Sequence, residues 1–314
     1  MDIGYLLTLQ GFRETAGQWL APYMNTLSKV SVYVTMLIPI LIFWNASRPV
    51  GYWYLLNLGL TDFFNNVVKL TACVYRPWIR DKQIVPWGDS ISGATGYSFP
   101  SGHTCGAASV FGGIGIQQWK KRKWLSVLSF FMILLVAFSR NYLGVHTPQD
   151  VLVGVAEAFL IICFNTWLLR QLKGNEKKQD MWTAIGFAVV IVSLLYIQFK
   201  AYPMDEADGV LLVDPEAMMP DMYLSAGTML GALAGSLLER KRIHFDASGS
   251  LPERILRCVI GVIPVILIYM VLRKTGAELI GKKTANLISM FLLGVYVVAI
   301  YPWCIMKFKK RRAS

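Results

Sequence analysis

The feature that most constrains this chain is a series of apolar runs, several of which approach the roughly 20 residues that a helix needs to cross a bilayer. They lie at about 29–46, 51–73, 101–118, 124–139, 149–168, 181–199, 221–238, 255–272 and 285–305. Of the 314 residues, 55% are hydrophobic and only 16% are charged. Within lipid each backbone polar group must be satisfied inside its own segment, so such a chain folds as helices. An all-α, polytopic transmembrane helix bundle of about nine spans is expected.

The net charge of +12 would suit a nucleic-acid partner, but its distribution excludes one. The excess sits in short clusters between the runs: Lys120 to Lys123, Arg170 to Lys178, Arg240 to Arg242 and Lys307 to Arg312. With nine spans these fall on one side, where the positive-inside rule puts the cytoplasm, and the basic tail with them. The opposite side receives the acidic loop with Asp205, Glu206, Asp208, Asp214, Glu216 and Asp221. Four Lys/Arg at 273–283 run against that count.

Residues 4–27 mix Leu6, Phe12 and Trp19 with Arg13, Glu14 and Gln18, too polar to span, and an amphipathic interfacial helix is expected there. The layout is then 1–28 interfacial helix, 29–180 transmembrane core and 181–314 additional C-terminal helices. No basic, apolar and small-residue cleavage pattern opens the chain, so no signal peptide is expected. The five cysteines form no CxxC pair, and free thiols without a metal site are expected. Gly227, Gly231 and Gly235 place a glycine stripe on one helix face, a packing feature.

Two of the three histidines fall between Phe99 and Asp150, each beside a helix-start signal. Pro100-Ser101-Gly102 leads into an apolar run, so the N–H groups of Gly102 and His103 would be free of helix partners and form an anion cradle. Ser101 could cap the helix, bind an anion, or both. Thr147-Pro148-Gln149-Asp150 reads as a cap, a first-turn proline and a capping-box carboxylate. Asp150 also lies one turn from His146 and could take its imidazole proton, leaving the other nitrogen nucleophilic. Lys69, Arg76 and Arg140 supply cations, and Asp62, Asn65, Asn66 and Lys69 lie inside an apolar run, where polar groups normally face protein or a water-filled cavity. A phosphate ester needs such cations, a nucleophile and an acid for its leaving group. His244 lies in a basic loop and carries no such company.

Lys69, six intervening residues, then Arg76-Pro77; Pro100-Ser101-Gly102-His103; and Ser139-Arg140, five residues, His146, three residues, Asp150 together resemble the three-part signature of the type 2 phosphatidic acid phosphatase family, also called lipid phosphate phosphatases. The resemblance covers roughly residues 29–170 and implies a fold shared with vanadium haloperoxidases. It implies a metal-independent phosphatase without cofactor, acting on a lipid phosphate such as phosphatidate, a prenyl (undecaprenyl) diphosphate or a sphingoid phosphate. His146 would attack phosphorus to form a phosphohistidine, Asp150 would orient it, and His103 would protonate the leaving group. Lys69, Arg76, Ser101, Gly102 and Arg140 would hold the phosphoryl oxygens. The site would face away from the cytoplasm, at a multi-pass cell membrane whose lipids are its partners. The family core usually carries two spans before the Lys69 element, where this sequence offers one, and the signature leaves residues beyond 181 unexplained, with homodimerisation one use for them. A transporter, or a relative that binds lipid phosphate without hydrolysis, is the alternative.

Overall fold

The computed structural model describes residues 2–15, 17–94 and 96–313, with side chains described to residue 310. The side chains of Arg311 and Arg312 in the basic tail therefore lie outside the described residues. The chain is mostly helical. Its helices are α1 (Asp2–Thr15), α2 (Leu20–Asn45), α3 (Arg48–Ala72), the short α4 (Pro77–Arg80), α5 (Gly102–Gln118), α6 (Lys123–Tyr142), α7 (Pro148–Leu172), α8 (Glu176–Phe199) and α9 (Pro215–Leu238). Then come α10 (Leu251–Ile266) and α11 (Arg273–Ile280), joined by a π-helical segment, and α12 (Lys282–Val295) and α13 (Tyr301–Ala313), joined by another. The one sheet among the described residues is a hairpin of two-residue strands, β1 (Glu206–Ala207) and β2 (Val210–Leu211).

Among the described residues, six helical stretches are long and apolar enough to cross a membrane: α2, α6, α7, α8, Leu251–Ile280 and Lys282–Lys310. The expected nine are not all recovered on that criterion. α5 has only 17 residues. α3 carries Asn57, Asp62, Asn65, Asn66 and Lys69, and α9 carries Glu216, Pro220 and Asp221.

The single amphipathic helix expected over 4–27 is instead two elements. The Gly17 N–H donates to Phe12 O at 2.9 Å and the Leu20 N–H to Gly17 O at 2.9 Å, closing a turn that ends α1. Gly17 accepts the Tyr142 hydroxyl at 2.6 Å, and a Cβ there would push that hydroxyl aside, so glycine suits the bend. Pro22 is tolerated because it falls in the first turn of α2. α1 also packs on protein: Arg13, only 4% exposed, donates from Nη1 to Tyr142 O at 2.9 Å and from Nη2 to Val85 O at 2.6 Å.

The chain divides into two compact units. The first comprises Met1–Leu37, Phe64–Cys163 and Lys200–Met218. In it α5 and α6 pack as an antiparallel hairpin around the basic turn Lys120 to Lys123, with Gly115 against the Phe130 ring. At the other end of that hairpin Ala21, Met24, Ala94, Tyr142, Leu143 and Val145 form an apolar cluster. The second unit comprises Ile38–Phe63, Phe164–Phe199 and Met219–Ser314. Its core gathers Phe43, Trp44, Phe245, Val265, Met290, Leu293, Val297 and Tyr301, with Trp44 Nε1 donating to Val297 O at 2.9 Å. The glycine stripe packs inside this unit: a Cβ at Gly227 or Gly231 would run into the carbonyl of Leu287 or Phe291 on α12.

Candidate active site

All eight residues singled out in the sequence lie in the first unit, at the end of the α5–α6 hairpin away from its basic turn. Lys69 occupies the last turn of α3, and its Nζ donates to Pro100 O at 2.6 Å. Arg76 follows in extended backbone just before α4. Arg140 is in the last turn of α6, His146 in the tight connection to α7, and Asp150 in the first turn of α7.

The connection is set by local sequence. Gly144 takes φ +74°, a left-handed conformation that suits glycine. That turn lets the backbone N–H groups of Val145 and His146 donate to Arg140 O at 3.2 and 3.3 Å, and Asn141 Nδ2 donates to His146 O at 2.8 Å. The histidine is thereby tied to the arginine six positions before it in the fold as well as in the chain.

Asp150 serves both readings offered by the sequence. The Thr147 N–H donates to Asp150 Oδ2 at 2.8 Å and the Asp150 N–H to Thr147 Oγ1 at 3.3 Å, a reciprocal capping box. The same Oδ2 lies 3.3 Å from His146 Nδ1 and also accepts the Ser98 hydroxyl. On its far side, His146 Nε2 lies 2.9 Å from Arg76 Nη1. Arginine only donates, so Nε2 is the acceptor and the ring proton sits on Nδ1, facing Asp150. The lone pair that a nucleophile requires is on Nε2. Burial, followed by the charges of Arg76, Arg140 and Lys69, holds the imidazole well below its ordinary titration range, so it is neutral at physiological pH.

The cations are positioned by carbonyls. Arg76 donates from Nε to Gly96 O and from Nη1 to Val145 O, each at 3.0 Å. Burial pulls its guanidinium down to about 10, against the opposing pull of Asp150, and it stays charged at neutral pH. Arg140 Nη1 donates to Ser28 Oγ at 2.6 Å, whereas its buried Nε and Nη2 have no hydrogen-bond partner among the described residues. Two buried, unmatched donors on a cation are costly unless an anion meets them.

Ser101 is fully buried and precedes α5, but its hydroxyl lies 3.0 Å from Thr104 Oγ1 and makes no capping bond to the backbone. Its N–H donates to Asp150 O at 2.9 Å, which stitches the start of α5 to the start of α7. Gly102 is exposed, and His103, in the first turn of α5, is within electrostatic reach of Arg140, His146, Arg76 and Lys69. His244 is placed in the second unit and takes no part.

Sequence reasoning passed over Ser98, Ser28, Asn141 and Arg13. A lone serine or asparagine carries no spacing signal, but Arg13 stands among apolar residues without a nearby acid except Glu14, a pattern that marks a buried cation.

A family model described as the PAP2 superfamily matches residues 51–173, which include all eight site residues, and a second, described as the PAP2 superfamily phosphatase transmembrane extension, matches residues 223–313. The chain belongs to the PAP2 superfamily. It is 24% identical over 277 residues to lipid phosphate phosphatase delta of Arabidopsis thaliana, covering 82% of this chain and 61% of that one. It is 34% identical over 82 residues to phosphatidylglycerophosphatase B of Escherichia coli (26% and 32% covered) and 27% identical over 132 residues to undecaprenyl-diphosphatase of Sulfolobus acidocaldarius (42% and 61%). The chain thus spans less than two thirds of each relative's length. No solved structure matches it. Six apolar helical stretches of spanning length among the described residues, together with the match to a PAP2 transmembrane extension, make this a membrane protein.

Proposed function

We propose that the chain hydrolyses the phosphate or diphosphate of a membrane lipid through a phosphohistidine on His146, without a metal ion. The observation that carries this reading is the His146 ring itself: one nitrogen faces Asp150, and the other presents its lone pair to the guanidinium of Arg76. An incoming phosphoryl group would take over that guanidinium as well as the unmatched donors of Arg140, and so bring phosphorus to Nε2. Lys69, Ser101 and Gly102 complete the cradle, with the first-turn N–H groups of α5 adding partial positive charge.

In the first step the Nε2 lone pair forms a bond to phosphorus as the phosphorus–oxygen ester bond breaks, and His103 gives its proton to the departing alkoxide. In the second, water attacks phosphorus, His103 accepts its proton, and the phosphorus–nitrogen bond breaks to release phosphate. Asp150 stabilises the charge that the His146 ring gains in between. Three cations meet the charge that builds on the phosphoryl oxygens, so no metal is required for that task.

The lipid class is supported by the relatives, which are named for lipid phosphate, phosphatidylglycerophosphate and undecaprenyl diphosphate. A site facing away from the cytoplasm is supported by Lys120 to Lys123 at the opposite end of the α5–α6 hairpin. The division at about residue 181 into a core and an appended set of helices is supported by the two separate family matches.

The test is phosphate release from a panel of phosphatidate, prenyl diphosphate and sphingoid phosphate in detergent. Release from at least one of them, reduced by about 1,000-fold or more in His146→Ala, is expected. Release at the parental rate by that variant would end the assignment.

A further inference from the structure

One turn below the phosphoryl cradle, the same three helices carry a second polar layer that the proposed chemistry does not use. Asn65 stands one turn before Lys69 on α3, Cys105 one turn after Ser101 on α5, and Glu157 two turns after Asp150 on α7. Asn65 Nδ2 donates to Glu157 Oε2 at 3.0 Å, and Cys105 Sγ to the same oxygen at 3.4 Å. Oε1 is buried and has no hydrogen-bond partner among the described residues, so the carboxylate is only half satisfied there. The layers touch: a Cβ on Gly102 would stand 3.3 Å from Asn65 Oδ1. Among the described residues, Lys69 is the charged group whose field reaches Glu157. A carboxylate at this depth is expensive, which marks it for function.

Lys69, Arg76 and Arg140 oppose a single carboxylate, Asp150, in the layer above. Such a cradle binds the product dianion as readily as the substrate, and tight product slows turnover. We infer that Glu157 is a half-buried counter-charge behind Lys69 that weakens the hold of the site on free phosphate and so speeds its release. It is a positioning residue, acting through Lys69 rather than by touching the substrate. At an effective dielectric of about 20, any two unit charges about 10 Å apart interact by enough to change an affinity about tenfold, so an effect of this kind is measurable. The inference rests on the phosphatase reading for its consequence in turnover, but not for its consequence in phosphate affinity.

Purified full-length protein and the variants Glu157→Gln, Glu157→Met and Glu157→Asp would be compared for binding of inorganic orthophosphate by calorimetry and for kcat on a lipid phosphate. Glu157→Met needs no hydrogen bond, and serves where a buried amide prevents folding. The neutral variants should bind orthophosphate about three- to tenfold more tightly and lose kcat by a similar factor, with Glu157→Asp within about twofold of the parent. Loss of structural support would instead weaken phosphate binding, so unchanged or weaker binding in a folded neutral variant overturns the inference. Binding of orthophosphate without any lipid hydrolysis by the parent would overturn the phosphatase reading, while the affinity comparison could still be read.

Discussion

At His146 two neighbours compete for one ring, and their geometry decides its state. Asp150 faces Nδ1 and Arg76 faces Nε2, so the ring is neutral, oriented and open on the nitrogen that the cations surround. Its depressed titration has a sign that can be checked. Because burial and the cations favour the neutral form, the acid limb of kcat/KM, which reports free-enzyme groups, should fall below pH 6.5. Activity should decline again at higher pH as His103 loses the proton it gives to the leaving group, well before Arg76 begins to lose its own near pH 10. An acid limb at or above 6.5 would contradict this environment. The sequence made most of this residue-level geometry legible, since the spacing from His146 to Asp150 is one helical turn and Thr147-Pro148 announces where that helix starts. It left the choice between cap and histidine partner open, and the structure gives Asp150 both tasks. The other supports stayed hidden for a physical reason. Ser98 and Ser28 reach Asp150 and Arg140 across 52 and 112 positions, and a single hydroxyl carries no pattern over such separations.

At the scale of elements, the site is a meeting of helix ends. α5 and α7 start side by side, and Ser101 N–H bonded to Asp150 O fixes their register. Gly154, one turn into α7, makes that approach possible, since a Cβ there would come within 2.9 Å of Ser101 O and 3.5 Å of Cys105 N. Backbone atoms cannot swing aside as a side chain can. Gly154→Val should therefore destabilise the protein by about 1–3 kcal/mol and lower activity further than the loss of folded protein accounts for, as read from thermal unfolding alongside phosphate release. A fully active, equally stable variant would show that the α5–α7 contact does not position the cradle. Helix placement was readable from apolar run lengths, but the break at Gly17 was not, because it answers to a distant Tyr142 hydroxyl rather than to local sequence. The polar content that drops α3 below the spanning criterion is the same content that equips it for the site, with Lys69 above Asn65.

At the scale of the whole molecule, the chain combines a PAP2 region with a transmembrane extension, and Lys69, Arg76 and Arg140, the cations proposed to meet phosphate, belong to the first. The proposed use of cations in place of a metal has a consequence in solution: chelators of divalent ions should leave phosphate release intact, and vanadate, which mimics five-coordinate phosphorus, should inhibit it competitively. Strict dependence on a divalent ion would contradict the proposed chemistry. The account turns on a covalent bond between His146 and phosphorus. Rapid quench of the enzyme with a lipid carrying radiolabelled phosphate, followed by peptide mapping, tests that bond directly. Label that is lost in acid, kept in alkali and confined to the peptide containing His146 is expected. Turnover with no trapped label, or label on a serine or aspartate, would contradict it.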